Sequence, residues 1–484
     1  MLIRKIVRER ALFLLATKFI IHKKMYGGLS INARSLTTQY EYIKPHISYI
    51  WHHIITYMHY FAQIMLNAIA DTHPSYFILG AVFALFAATI FIAVRYPFWN
   101  THPVYHTYDF WRGIGITTPY IIQKIPTKTR YYLKETHDMK TKTMLWSRLS
   151  RPDIQKLLKL INMHYISSDR ILLDIQENEW TANFCDNSFV TLSYSGENMN
   201  AFISSRPILS RINNTDVQLF YIDYMTCSNS TANKTPLNNH SLFSTHEYNV
   251  RLQTSLMSAC PVASLIKQES GECFGVVPFC KYELVQYYLN PLNAWTLPNF
   301  RPEIQLVSCI SIHGVGKKRK YENTHILTDF AKSFMNIGGF DVKIWSGLPA
   351  MLRHFEAGDV RMYALTNKGN LLGIYFMRNT RTYYEELEGA NMIECVASIN
   401  FTFTDSGWEL FYGGFLLAIR ESILAFTNDV PCRVLSMPSI GHNVYLNSKL
   451  PTKDVIMRTP CQYILHNMVA PKSPYSPEKC LIIL

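Results

Sequence analysis

Several common signatures are missing from these 484 residues, and each absence removes a class of protein. Ten cysteines are present, yet no Cys-x-x-Cys pair occurs. Zinc ribbons and thioredoxin-type redox sites are therefore set aside. The cysteines, scattered from Cys185 to Cys480, read as reduced core thiols in a reducing compartment. His313-Gly314-Val315-Gly316-Lys317 lacks the spacing of a phosphate-binding loop. No alternation of basic and aromatic residues suggests stacked bases, so nucleic acid is not an expected partner. Long hydrophobic runs are nearly absent, which excludes a many-span transporter. No metal site stands out: His52, His53 and His59 share an aromatic-rich stretch that reads better as an interfacial helix.

What is present is basic and organised. Lysine and arginine number 47 against 35 aspartate and glutamate, a net charge of +12. Such an excess suits an anionic lipid surface or a polyanionic cofactor. Much of it lies before residue 45, with a second cluster at Lys317-Lys318-Arg319-Lys320. Tyr76 to Val94 is an apolar run without a charge. At 1.5 Å per residue it reaches about 28 Å, close to the thickness of a bilayer core. Arg95 and the aromatic residues Tyr96, Phe98 and Trp99 follow, as at an interface. The expectation is a single-pass membrane helix over 76–94, preceded at 1–75 by a basic N-terminus and an interfacial helix. A buried core helix is the alternative. Both flanks are basic, so charge does not set the orientation.

From Tyr105 onward helical and strand-like segments alternate, the pattern of an α/β (α+β) fold. Pro152 starts an amphipathic helix over Ser150 to Ile166. Phe189 to Ser195 and Met199 to Ser204 read as a hairpin, and Gln218 to Cys227 as a third strand. Ser228 to Thr245 reads as a polar loop, Arg251 to Lys267 as a helix and Phe274 to Phe279 as a strand. After the basic linker a similar set recurs: helix Ile326 to Met335, strands from Arg361, Leu371 and Cys395, helix Leu410 to Phe426, and strand Cys432 to Met437. The order resembles two GNAT-like halves, at 95–315 and 321–484.

Four stretches carry a more specific resemblance. Tyr96-Pro97-Phe98-Trp99-Asn100-Thr101-His102-Pro103-Val104 resembles the aromatic signature that opens the acyl-CoA site of N-myristoyltransferases. Ala201 to Pro207 with Tyr221-Ile222-Asp223-Tyr224-Met225-Thr226 is similar to that family's G-F-I-S-A-x-P and E-I-N-F-L-C. Tyr288-Leu289-Asn290-Pro291 resembles R-x-L-N-P, and Gln462 to Leu484 resembles the family's tail. The resemblance implies two fused GNAT-like halves that use myristoyl-CoA and a protein with an N-terminal glycine. It implies that the backbone amides of Tyr224 and Met225 hold the thioester oxyanion, and that the Leu484 carboxylate takes the glycine proton. Tyr96, Phe98, Trp99 and Arg251 would bind the acyl-CoA; Asp169, Tyr463 and Asn467 would line the peptide site. An acyl-CoA enzyme on a membrane would face the cytosol.

The chain also departs from that pattern. The basic run after E-I-N-F-L-C keeps only Arg251, the acidic run N-Y-V-E-D-D keeps only Asp169, and K-F-G-x-G-D-G is absent. A second reading therefore stands beside the enzyme: a scaffold that kept the fold, lost the chemistry and binds a lipid or a partner. The Asn-, Ile- and Tyr-rich composition would suit a large-DNA-virus copy.

Overall fold

The computed structural model describes residues 74–95, 97–129, 131–135, 139–166, 170–228, 237–254, 262–269, 273, 275–289, 300–309, 323–427 and 430–484. The N-terminal basic segment, the histidines at 52, 53 and 59, Tyr96, Asp169 and the linker at 317–320 lie outside them. So do the side chains of helical residues 247–254.

A helix, Pro74–Arg95, forms over the apolar run. Ile78 and Leu79 are each 64% exposed, which argues against the buried-core alternative. Yet among the described residues no helix is long and apolar enough to cross a membrane, so the span expected over 76–94 gains no support from them.

The body runs from Thr89 to Leu484 as one compact unit. Its strands are β1 (Tyr120–Ile121), β2 (Met139–Leu145), β3 (Ile171–Leu173), β4 (Phe189–Ser195), β5 (Asn198–Ile212), β6 (Thr215–Cys227), β7 (Ala263–Glu269), β8 (Cys280–Tyr288) and β9 (Ile304–Ser308). Then come β10 (Val342–Trp345), β11 (Val360–Asn367), β12 (Asn370–Tyr384), β13 (Ala390–Asn400), β14 (Cys432–Pro438), β15 (Val455–His466), β16 (Met468–Val469) and β17 (Cys480–Ile483). Except for the β1–β16 pair, they form one sheet in the order β17-β10-β5-β6-β7-β15-β8-β14-β13-β12-β11-β9, with β4 joined to β5 and β2, and β3 to β12, off this path. Two stretches of it repeat a theme. The antiparallel strands β5 and β6 lead through a helix, Leu237–Thr254, to β7, parallel to β6. The antiparallel strands β12 and β13 lead through a helix, Asp405–Phe426, to β14, parallel to β13.

Three expectations fail between the third strand and β8. Ser228 to Thr245 is not all loop, and no helix spans Arg251 to Lys267. The helix starts at Leu237 and ends at Thr254, and Ala263 to Glu269 is a strand. The cause is polarity: apart from Leu237 at its start, the described buried residues of this helix are Asn238, Asn239, His240, Ser244 and Thr245. An apolar periodicity finds no such face. The strand expected over Phe274 to Phe279 instead begins at Cys280.

The tail is a structural strand. β17 lies parallel to β10, with Cys480 opposite Val342 and Ile483 opposite Trp345. Leu481 and Ile483 enter the core around Phe330, Trp345 and Phe376, while Ile482 enters the other, around Tyr282 and Tyr463. Strand alternation thus lets four residues seal two cores at once.

Candidate functional site

A cavity of about 650 Å³ lies in the body, lined by residues of both β-α-β units and by Leu484. One wall is a bulge. Between Phe202 and Ser204 the β5–β6 register slips, so that Thr226 faces Phe202 and Asp223 faces Ser204, leaving Tyr224 and Met225 out of the ladder. Tyr224 sits at φ +52°, a left-handed conformation that costs a non-glycine residue on the order of 1 kcal/mol or more. Such bulges re-aim backbone groups beside functional clefts. The Tyr224 amide does not point into open space: it donates to Asp223 Oδ1 at 2.8 Å. The Ser204 hydroxyl donates to the Asp223 carbonyl at 3.0 Å.

Across the cavity, the main-chain oxygen of Leu484 accepts from Arg378 Nη1 at 3.4 Å. Arg378 also holds Glu394, with Nη2 and Nε at 2.5 and 3.1 Å from Oε2. Burial alone would neutralise both groups; their mutual attraction outweighs it, raising the arginine and lowering the glutamate. Three more pairs stand in the lining: Arg381–Glu179 at 2.6 Å, Lys267–Glu269 at 2.5 Å and His354–Asp359 at 2.9 Å. The Tyr463 ring stacks on Tyr282 at 5.4 Å, and burial pushes its hydroxyl up to about 12. Burial, then the Asp223 charge, likewise raises Tyr224.

The structure therefore brings Tyr224, Met225, Tyr463 and Leu484 to one cavity. Phe98 and Trp99 stand behind its wall, packed against Ile222, Leu237 and Ile266, which line it. Asn467, expected in the peptide site, is elsewhere. Its side chain joins Gln123 on both sides, at 2.8 and 3.2 Å, and its amide donates to Pro103 O at 2.6 Å. It pins the segment after the aromatic signature to the end of β15. Arg251, expected where a helix begins, lies in the last turn of Leu237–Thr254 because that helix starts early. Among the described residues no group could hold a metal ion. The sequence reading missed Arg378, Glu394 and the ion pairs beside them. Their signal was there, in single charges inside the apolar runs Tyr375-Phe376-Met377 and Met392-Ile393.

No family model matches the chain, and no curated protein does either. Solved structures do. A Saccharomyces cerevisiae N-myristoyltransferase with bound myristoyl-CoA and inhibitors aligns at TM-score 0.55 and 12% identity, over 79% of this chain and 92% of that one. A second structure of that enzyme, with myristoyl-CoA, aligns at TM-score 0.56 and 11% identity, over 78% and 89%. The fold is that of the N-myristoyltransferases. At such identity the likeness speaks for the fold alone.

Proposed function

We propose that the chain is an acyltransferase that moves a long-chain acyl group, myristoyl by resemblance, from its CoA thioester to the N-terminal glycine of a protein. The observation that carries this is the convergence of the Tyr224–Met225 bulge and Leu484 on one cavity. The free amine attacks the thioester carbonyl, forming the C–N bond. The bulge amides hold the developing oxyanion, the C–S bond breaks, and the CoA thiolate leaves. The amine's proton passes to the Leu484 carboxylate, whose main-chain oxygen accepts from Arg378 Nη1 at 3.4 Å. The same proposal includes a membrane anchor over 76–94, resting on the apolar run of the sequence alone, with the body on the cytosolic side where acyl-CoA is found.

One observation favours the second reading, a scaffold without chemistry. The Asp223 carboxylate already accepts the Tyr224 amide, and its charge opposes an oxyanion there. Full-length protein in detergent, given myristoyl-CoA and a glycine-initiated peptide, separates the two. Transfer that disappears when residues are added after Leu484 supports the enzyme. No transfer, with no binding of myristoyl-CoA, overturns it. Carbonate extraction of membranes from expressing cells tests the anchor: release of the chain into the supernatant would refute it.

A further inference from the structure

Among the described residues, the arginines and lysine that line the cavity are ion-paired, with one exception. Arg378 is taken by Glu394 and Leu484, Arg381 by Glu179, and Lys267 by Glu269. Arg206 lines the same cavity and is only 3% exposed. It makes no ion pair among the described residues, and its Nε has no hydrogen-bond partner. Its guanidinium lies over the Tyr221 ring, 5.3 Å from the centroid. A guanidinium carries five donors in a planar fork that matches a carboxylate. To bury a guanidinium against an aromatic face with its Nε–H unaccepted is costly, and natural cores rarely do so. None of the carboxylates in the lining, Glu179, Asp223, Glu269, Asp359 and Glu394, forms an ion pair with Arg206. Asp223, in the same wall, is engaged by the Tyr224 amide instead.

We propose that Arg206 reads a carboxylate on the acceptor, so that the site selects a glycine-initiated chain with an acidic residue near its start. The inference rests on the acyltransferase reading for the identity of the acceptor. Position supports the acceptor over the coenzyme. Arg206 pairs across the ladder with Tyr221, three residues before the Tyr224 bulge. If the bulge holds the thioester carbonyl, the CoA phosphates lie a whole pantetheine arm away. What sits within reach of Arg206 is the beginning of the acceptor.

The test is a binding assay, so it does not depend on turnover. Full-length protein is titrated with fluorescent glycine-initiated hexapeptides bearing one Asp, or one Asn, at each of the five following positions. We expect Asp to bind about tenfold tighter than Asn at one position, the size of one charge-assisted pair. In Arg206→Gln that preference collapses, and Arg206→Lys, which keeps the charge without the fork, recovers part of it. Equal binding of Asp and Asn peptides overturns the proposal, as does a preference that survives Arg206→Gln. A loss of affinity for CoA, but not for dephospho-CoA, in Arg206→Gln would assign the guanidinium to a phosphate and overturn it as well. Acidic peptides that bind through Arg206 without receiving an acyl group would refute the acyltransferase and leave the acidic selectivity standing.

Discussion

The two crossovers of the body, β6 to β7 and β13 to β14, follow the same path with opposite interiors. The helix of the second, Asp405–Phe426, turns Phe411, Phe415, Leu416, Ala418 and Ile419 inward. Its glycines let it lie close on the sheet: a Cβ on Gly414 would come within 2.6 Å of Tyr375 Oη. The helix of the first, Leu237–Thr254, is held by hydrogen bonds instead. Asn239 brackets the backbone of Leu133, accepting from its N–H at 2.6 Å and donating to its C=O at 3.0 Å. Asn238 exchanges bonds with Thr129 at 2.7 and 2.9 Å, and His240 Nδ1 meets Thr191 Oγ1 at 2.7 Å. One topology can thus be stabilised by shape or by polar pairing. The two respond differently to mutation and to acid.

The largest effect should come from spoiling the close packing. Gly414→Val would push a branched side chain against Tyr375, whose hydroxyl donates to Phe411 O at 2.6 Å, and against Leu365. Neither neighbour has room to retreat, so a loss of about 3 kcal/mol is expected, read as a lower urea midpoint. A midpoint within experimental error of the parent would mean that the second crossover is not shape-locked.

Acid should strike the first crossover harder. His240 is fully buried, and burial lowers its pKa to about 3. His466 is lowered to about 3 and His102 to about 4, by burial and by neighbouring histidines. A histidine whose folded pKa is depressed stabilises the fold fully above about 6.5, its unfolded value, and that stability is lost as pH falls from there toward the folded value. Between pH 7.5 and pH 5 His240 alone should account for about 2 kcal/mol. Urea midpoints against pH should flatten in His240→Gln. The second crossover packs one such histidine, His442, lowered to about 4 by burial. A pH slope unchanged in His240→Gln would break the contrast.

How much of this could be read from the sequence follows the same divide. The second crossover was legible, because its helix announces itself by apolar spacing and its strands by β-branched and aromatic runs. The convergence of Tyr224 and Leu484 was legible through the motif resemblance, but the tail's strand was not, since Leu481-Ile482-Ile483-Leu484 is apolar throughout and shows no alternation. The helix at Leu237 was not, since a polar inward face looks like a loop until its partners are known. Those partners, Thr129 and Leu133, lie over a hundred residues away in sequence. Asn467 falls outside the cavity for a related reason: a motif position fixes a residue type, not the long-range contact that captures it. Arg206 and Arg378 passed unnoticed because a charge in a strand gains meaning only when the opposite wall is in place.

A pair of milder substitutions sharpens the comparison at the helix starts. Asn239→Ala leaves the Leu133 N–H and C=O without their partner in a buried site and should cost about 2 kcal/mol. Exchange protection of the Leu133 amide should fall by more than the global change. Thr404 caps the second helix, accepting from the Gly407 N–H at 3.1 Å, and Thr404→Ala should cost about 1 kcal/mol, as lost N-caps do. That loss should be uniform across exchange-protected amides and insensitive to pH. If the ranking reverses, the first helix is held by its own propensity, and the buried asparagines are consequences of the fold rather than what fastens the residues near Leu133 to it.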